Sequence, residues 1–295
     1  SLKGGLQVSL RTDVFQMAVF LVIFSIAFIY MIFCSDFSFN SILQSTGVHE
    51  QAARPGYVLI YVALLQVFSY PAHDPVMMDR GFIANQNKTN YSFILAFLLS
   101  TFCIFGFGMF GIQAGLIGYA YENQLLGTWQ NMFGPGVYFL LICSLLVSAM
   151  STLDSALASS ARLVIDEFYI FKRSIKNGRI AMSTFMAFGL LFTLFPSQSL
   201  FDAVAVTGTA SMFLTPVMIV TFLGGKIPIW AYTITWFFSM IGAFAYIFRD
   251  IETITYLLPG LHKYDQLLSI CLYIIVFGFC ICFIGALSNR FLAKA

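Results

Sequence analysis

Runs of roughly twenty apolar residues recur along this chain, separated by short clusters of Gly, Pro, Asn and charged residues. That spacing matches a bilayer core of about 30 Å, which a helix crosses in about 20 residues. Eight runs qualify: 14–34, 56–84 with a break, 90–116, 135–169, 180–196, 201–223, 227–248 and 266–288. The longest connections are 35–55 and 249–263. The second run reads GYVLIYVALLQVFSYPAHDPVMMDRGF and is interrupted by Pro71, His73, Asp74 and Pro75. It predicts a discontinuous helix, since broken backbone is tolerated at membrane depth only against protein or a wet cavity, with a plain proline kink and a loop beyond it as the alternative.

The fourth run changes character midway. The apolar FLLICSLLV continues as SAMSTLDSALASSARLVIDEFY over residues 148–169. At 100° per residue, Ser148, Ser151, Thr152, Ser155 and Ser159 share one stripe, which Arg162 and Asp166 extend; Asp154 lies on its flank. A helix from Gly136 to Tyr169 at about 1.5 Å per residue exceeds the core, so its last turns protrude while Ser151 stays inside. Small hydroxyl residues serve close helix packing and bond back to their own backbone. The intramembrane Asp154 shifts the balance, since a carboxylate at that depth lines a pathway or pairs with a cation. Hydroxyl oxygens on one face suit a hard cation, and sodium needs little formal charge.

Composition sets the class. The chain has 295 residues, of which 59% are hydrophobic and 9% charged, with a mean hydropathy of +0.86. That is too little charge for a soluble surface, so an all-α integral membrane protein is expected. The net charge of +2 gives no basis for a nucleic-acid partner. Six cysteines lie in apolar runs without zinc-type spacing and read as reduced packing residues. With the N-terminus inside and the helices alternating, twelve of the fifteen Lys and Arg fall on the cytoplasmic side. Only Arg54, Arg249 and Lys263 fall outside, which sets both termini in the cytoplasm. The Asn-Lys-Thr and Asn-Tyr-Ser triplets at 87–92 then lie inside and are chance matches to the glycosylation pattern. No paired His/Asp/Glu motif, Gly-rich phosphate loop or nucleophile elbow is present, so no enzyme and no cofactor are expected beyond a coupling ion.

Two motifs carry a resemblance. SAMSTLDSALASSARLVIDEFY resembles the sodium-site helix of the sodium/solute symporter family: Met-Ser-Thr/Ser, a small polar pair, a Ser-rich stretch, then acidic-x-Tyr. GGLQVSLRTDVFQ near the start resembles that family's Gly-Gly-Leu, five residues, Thr-Asp, two residues, Gln. The resemblance covers essentially the whole chain. It implies a LeuT-type bundle of two inverted repeats with sites near the midplane. Residues 1–34 would be the fifth core helix, 56–223 the second repeat and 227–288 peripheral helices, in a single transmembrane domain. The first four core helices would be missing partners, making this chain a fragment of the symporter.

The resemblance also implies site roles. Ser151 and Thr152 would give side-chain oxygens to sodium, and Ser148 its backbone carbonyl. Asp13, with Asp154 and Ser155, would form a second cation site or exit station. Asp154 stands where the family carries Ser or Thr. It would either make a two-carboxylate site with Asp13 or pair with a base such as Arg11. Gln66, Ser69, Tyr70, His73 and Asp74 are candidates for the pocket, gate or break, and Thr207 and Thr209 for the pathway. Tyr70 matches the aromatic gate of sugar-carrying relatives, but Val67 stands where those carry an amide, which argues against a sugar. The implied function is sodium-coupled symport of a small organic solute across the plasma membrane. A symporter-like sensor, and coupling to protons rather than sodium, are the alternatives.

Overall fold

The structure, a computed structural model, describes residues 5–33, 36–45, 54–70, 74, 76, 77, 81, 84–118, 125–192, 200–260 and 262–292. Among the described residues every regular element is helical. Six stretches are long and apolar enough to cross a membrane: Thr12–Ile32, Gln86–Leu116, Leu125–Glu167, Phe201–Phe222, Ile229–Ile247 and Lys263–Asn289. The chain is thus built as a multi-pass membrane protein.

Two of the eight expected spans fall short of that measure. Among the described residues the long helix of the 56–84 run is Arg54–Val67, of 14 residues and about 21 Å. Pro71, His73 and Pro75, the heart of the expected break, lie outside the described residues. The 180–196 run is described as far as Ile175–Phe192, whose early turns carry Lys176 and Arg179, and residues 193–196 lie outside the described residues.

In chain order we label the helices α1 (Gly5–Ile32), α2 (Phe39–Gln44), α3 (Arg54–Val67), α4 (Gln86–Leu116), α5 (Leu125–Arg162) and α6 (Ile175–Phe192). They are followed by α7 (Leu200–Ser211), α8 (Leu214–Phe222), α9 (Ile229–Ile247), α10 (Glu252–Leu257) and α11 (Lys263–Leu292). Contacts divide the chain into two compact units. One comprises residues 1–49 and 75–196, the other residues 50–74 and 197–295.

In the first unit α1 lies along α5. Helix α5 is two helices joined at Gly134, whose φ of 67° and ψ of 171° are non-helical. Pro135 follows as the first residue of the second piece, where its missing N–H costs nothing. That piece runs to Arg162, about 42 Å, longer than the hydrocarbon core. A π turn over Leu163–Glu167 ends it, and Tyr169 takes a left-handed φ of 52°. Ile170 N–H closes the end on Val164 O at 3.1 Å, and Arg173 pairs with Asp166 at 3.1 Å. The core is aromatic. The fully buried Phe24 sits 5.0 Å from Phe107 and edge-on to Phe102 at 5.6 Å, while Phe110 meets Phe133 edge-on at 5.0 Å. A side chain at Gly106 would collide with the Phe24 ring, so the glycine lets that ring rest on the backbone of α4.

In the second unit α9 packs on α7 and α11, and α3 and α8 also pack on α11. Close approach again depends on glycines. A Cβ at Gly242 would meet Ile274, one at Gly278 the Pro216 ring, and one at Gly285 Ala231 and Pro228. The expected single helix over 201–223 is broken at Met212 and Phe213. Pro216 has no N–H for the Met212 carbonyl, and its ring crowds that carbonyl. The backbone closes with tighter bonds instead, Met212 N–H to Thr209 O at 3.2 Å and Thr215 N–H to Met212 O at 3.0 Å.

Candidate functional site

Asp13 stands on α1 at the start of its long apolar run, with Val14 and Phe15 immediately after it. Helix α5 brings its hydroxyl stripe against this point. Ser151 Oγ donates to Asp13 Oδ1 at 2.6 Å, and Ser155 Oγ donates to Asp13 Oδ2 at 3.1 Å. The two serines are four residues apart, one turn, and so reach the two oxygens of one carboxylate. Ser155 is 1% exposed, Ser159 is buried one turn further on, and Ser144 is buried toward the other end. Of the stripe read from sequence, Ser155 and Ser159 lie on the buried face of α5, and Ser148 and Ser151 are half-buried at its border.

Not every predicted ligand joins this cluster. Thr152 is exposed, and its hydroxyl bonds back to Ser148 O at 3.1 Å. It lies at the edge of the stripe, turned from α1. Ser148 and Asp154 are half-buried. The Arg11 side chain lies outside the described residues.

Sequence reasoning passed over Gln16 as a site residue. It lies on the Asp13 face of α1 three residues on, and its Oε1 is buried without a hydrogen-bond partner. The signal was present in the Thr-Asp-x-x-Gln motif. Asp13, Ser151 and Ser155 bring together only oxygens, and Asp13 alone of them is charged. Among the described residues no group of three or more His, Cys, Asp or Glu is gathered. An oxygen set of low charge suits a hard monovalent cation better than a transition metal.

The pocket candidates of the second unit gather around Gln66. Its Nε2 donates to Thr209 Oγ1 at 3.0 Å and to Ala205 O at 3.2 Å. Gly208 leaves room for it, since a Cβ there would lie 2.8 Å from Gln66 Oε1. Ser69 is fully buried; it donates to Gln66 O at 3.0 Å and lies 3.3 Å from Ser211 Oγ. Ser239 on α9 donates to Thr209 O at 2.6 Å and Ala210 O at 3.1 Å, beside the Pro216 break. These groups bond one another, and such a network holds helices in register. Thr207 stands apart, exposed and bonded back to Val204 O at 3.0 Å. Tyr70 is half-exposed, with Asp74 in hydrogen-bonding reach of its phenol; His73 lies outside the described residues.

A third cluster was not legible in the sequence. Asp202, in the first turn of α7, accepts from Tyr246 Oη at 2.7 Å and pairs with Arg249 at 3.4 Å. The Arg249 guanidinium also lies over the Tyr246 ring, 4.5 Å from its centre. The Asp202 and Arg249 side chains are only 10% and 15% exposed. No motif links residues 44 positions apart. Comparison of the whole chain with models of known families, with curated proteins and with solved structures returns no match.

Proposed function

We propose that this chain is part of a sodium-coupled symporter that moves a small organic solute across the plasma membrane. One observation carries the reading. The two segments whose motifs resemble the sodium/solute symporter family meet through Asp13, Ser151 and Ser155. A carboxylate and two hydroxyls meet between two membrane-length helices, and the unpartnered Gln16 Oε1 lies one turn along the same helix as the carboxylate. On this reading a sodium ion takes the place of the hydroxyl protons as partner of the carboxylate. The hydroxyls rotate and present lone pairs. Inward movement of the ion releases about 2.3 kcal/mol per charge per 100 mV, which drives the solute. The LeuT-type bundle, the eight-span count and cytoplasmic termini belong to the same proposal.

The test is saturable binding of radioactive sodium to the protein in lipid nanodiscs, with no solute added. Binding should be lost in Asp13→Asn and weakened at least tenfold in Ser151→Ala, since each removes a ligand to a charge. Wild-type protein that binds no sodium, or variants that bind it equally, sink the sodium reading. Binding that vanishes in Thr152→Ala but survives in Asp13→Asn moves the site to the other edge of the stripe.

A further inference from the structure

The first unit holds a second polar site at the other end of its helices. Eighteen residues of α1 separate Asp13 from Met31, a rise of about 27 Å. There a cavity of about 300 Å³ opens between the end of α1, the last turns of α4 and the first piece of α5. Met31, Met132 and Phe133 form its apolar wall, and Asp36, Gln113 and Asn131 are its polar groups.

Gln113 is the telling residue. It is 3% exposed, and its Nε2 donates to the backbone carbonyl of Asp36 at 3.1 Å. A carbonyl only accepts, so this bond fixes which end of the amide is nitrogen. The other end, Oε1, is buried with no hydrogen-bond partner. Leaving a buried acceptor unmade costs about 1–3 kcal/mol, and native structures rarely tolerate it. No group lining the cavity, the Asn131 amide included, donates to that oxygen, which is therefore open to a donor on a ligand. Asp36, exposed at its mouth, adds a carboxylate that also only accepts.

The volume narrows the donor. A water occupies about 30 Å³ of liquid, whereas pockets for small molecules begin near 300 Å³. A bare metal ion wants oxygens on most sides, and a wall of two thioethers and a phenyl ring supplies none. We propose that this cavity binds a small organic cation through its primary ammonium group. The ammonium donates to Gln113 Oε1 and pairs with Asp36, and its short hydrocarbon body lies on Met31, Met132 and Phe133. This site is separate from the Asp13 cluster, and failure of the sodium reading leaves it standing.

The probe is n-butylammonium chloride, titrated calorimetrically into the protein in lipid nanodiscs. Sodium chloride at equal ionic strength and 1-butanol serve as controls. Butylammonium should bind saturably, while butanol and sodium should not compete for the site. Asp36→Asn should weaken binding about tenfold, and Gln113→Leu at least as much. Asp36→Asn is decisive, because its exposed side chain is not needed for packing. Unchanged affinity in Asp36→Asn overturns the proposal, as does equal binding of butanol. Absence of saturable butylammonium binding overturns it too, and leaves a cavity filled by water only.

Discussion

Ser151 on α5 and Asp13 on α1 share a 2.6 Å hydrogen bond across 138 positions of sequence. The bond ties the helix pair together at the point where the apolar run of α1 begins. A hydroxyl bonded to a charged group contributes about 1.5–3 kcal/mol. Ser151→Ala and Asp13→Asn should each destabilise the protein by about that amount. Their double variant should fall well short of the sum, because the two residues act through one contact. Reversible unfolding of the four proteins in mixed micelles measures the coupling.

Gly106→Ala should be costly for a one-carbon change. Its Cβ would overlap the ring of Phe24, which is fully buried and boxed in by Phe102, Phe107 and Phe110. Overpacking of this kind costs about 1–3 kcal/mol. Phe24→Leu placed beside Gly106→Ala should recover part of the loss. Thermal melts that show no recovery would place the fault elsewhere than in this contact.

Arg249→Ala should destabilise more than its own loss of packing explains, because it leaves Asp202 buried without its cation. Breaking one side of a buried pair costs about 3–5 kcal/mol, whereas removing both sides costs less. The double variant Arg249→Ala, Asp202→Ala should therefore be more stable than Arg249→Ala alone. Tyr246→Phe, which removes only the phenol donor, should cost about 1 kcal/mol. Chemical unfolding of the four proteins ranks them.

Ser239 serves the helix break made by Pro216. Its hydroxyl donates to the carbonyls of Thr209 and Ala210, just before the turn that the proline disrupts. Ser239→Ala should cost about 1 kcal/mol. Adding Pro216→Ala lets regular helix bonding resume and should shrink the effect of the serine. An equal Ser239→Ala effect in both backgrounds, read from melting curves, would separate the serine from the break.

Sequence order made some of this readable and hid the rest. The apolar runs located the long helices because twenty uncharged residues in a row have one stable solution in lipid. The hydroxyl stripe was legible because a helix repeats every 3.6 residues, and Ser151 and Ser155 fall on its buried face. Thr152 was placed among them by the same rule, but the rule gives an angle and not a width. Thr152 falls at the exposed edge and bonds to its own backbone. The kinks at Gly134 and at Met212 are local and had local signals, Gly-Pro in one case and Pro216 four residues on in the other. The Asp202–Tyr246–Arg249 cluster and the unpaired Gln113 oxygen depend on which helices meet. A single sequence does not encode those meetings at any fixed spacing.

The chain order of the two units has a consequence for how the protein is made. Helix α3 belongs to the second unit, yet its packing partners α7 and α11 begin only at Leu200 and Lys263. About 130 residues, including most of the first unit, emerge before α7 does. At translation rates of about 5–20 residues per second, α3 waits roughly 7–26 s for its first neighbour. It is only 14 residues long, with Gln66 in its last turn and Ser69 just beyond it, and their eventual partners are still unsynthesised. Over that interval Gln66 stands in the growing chain without Thr209 and Ala205, the groups that will hold its amide.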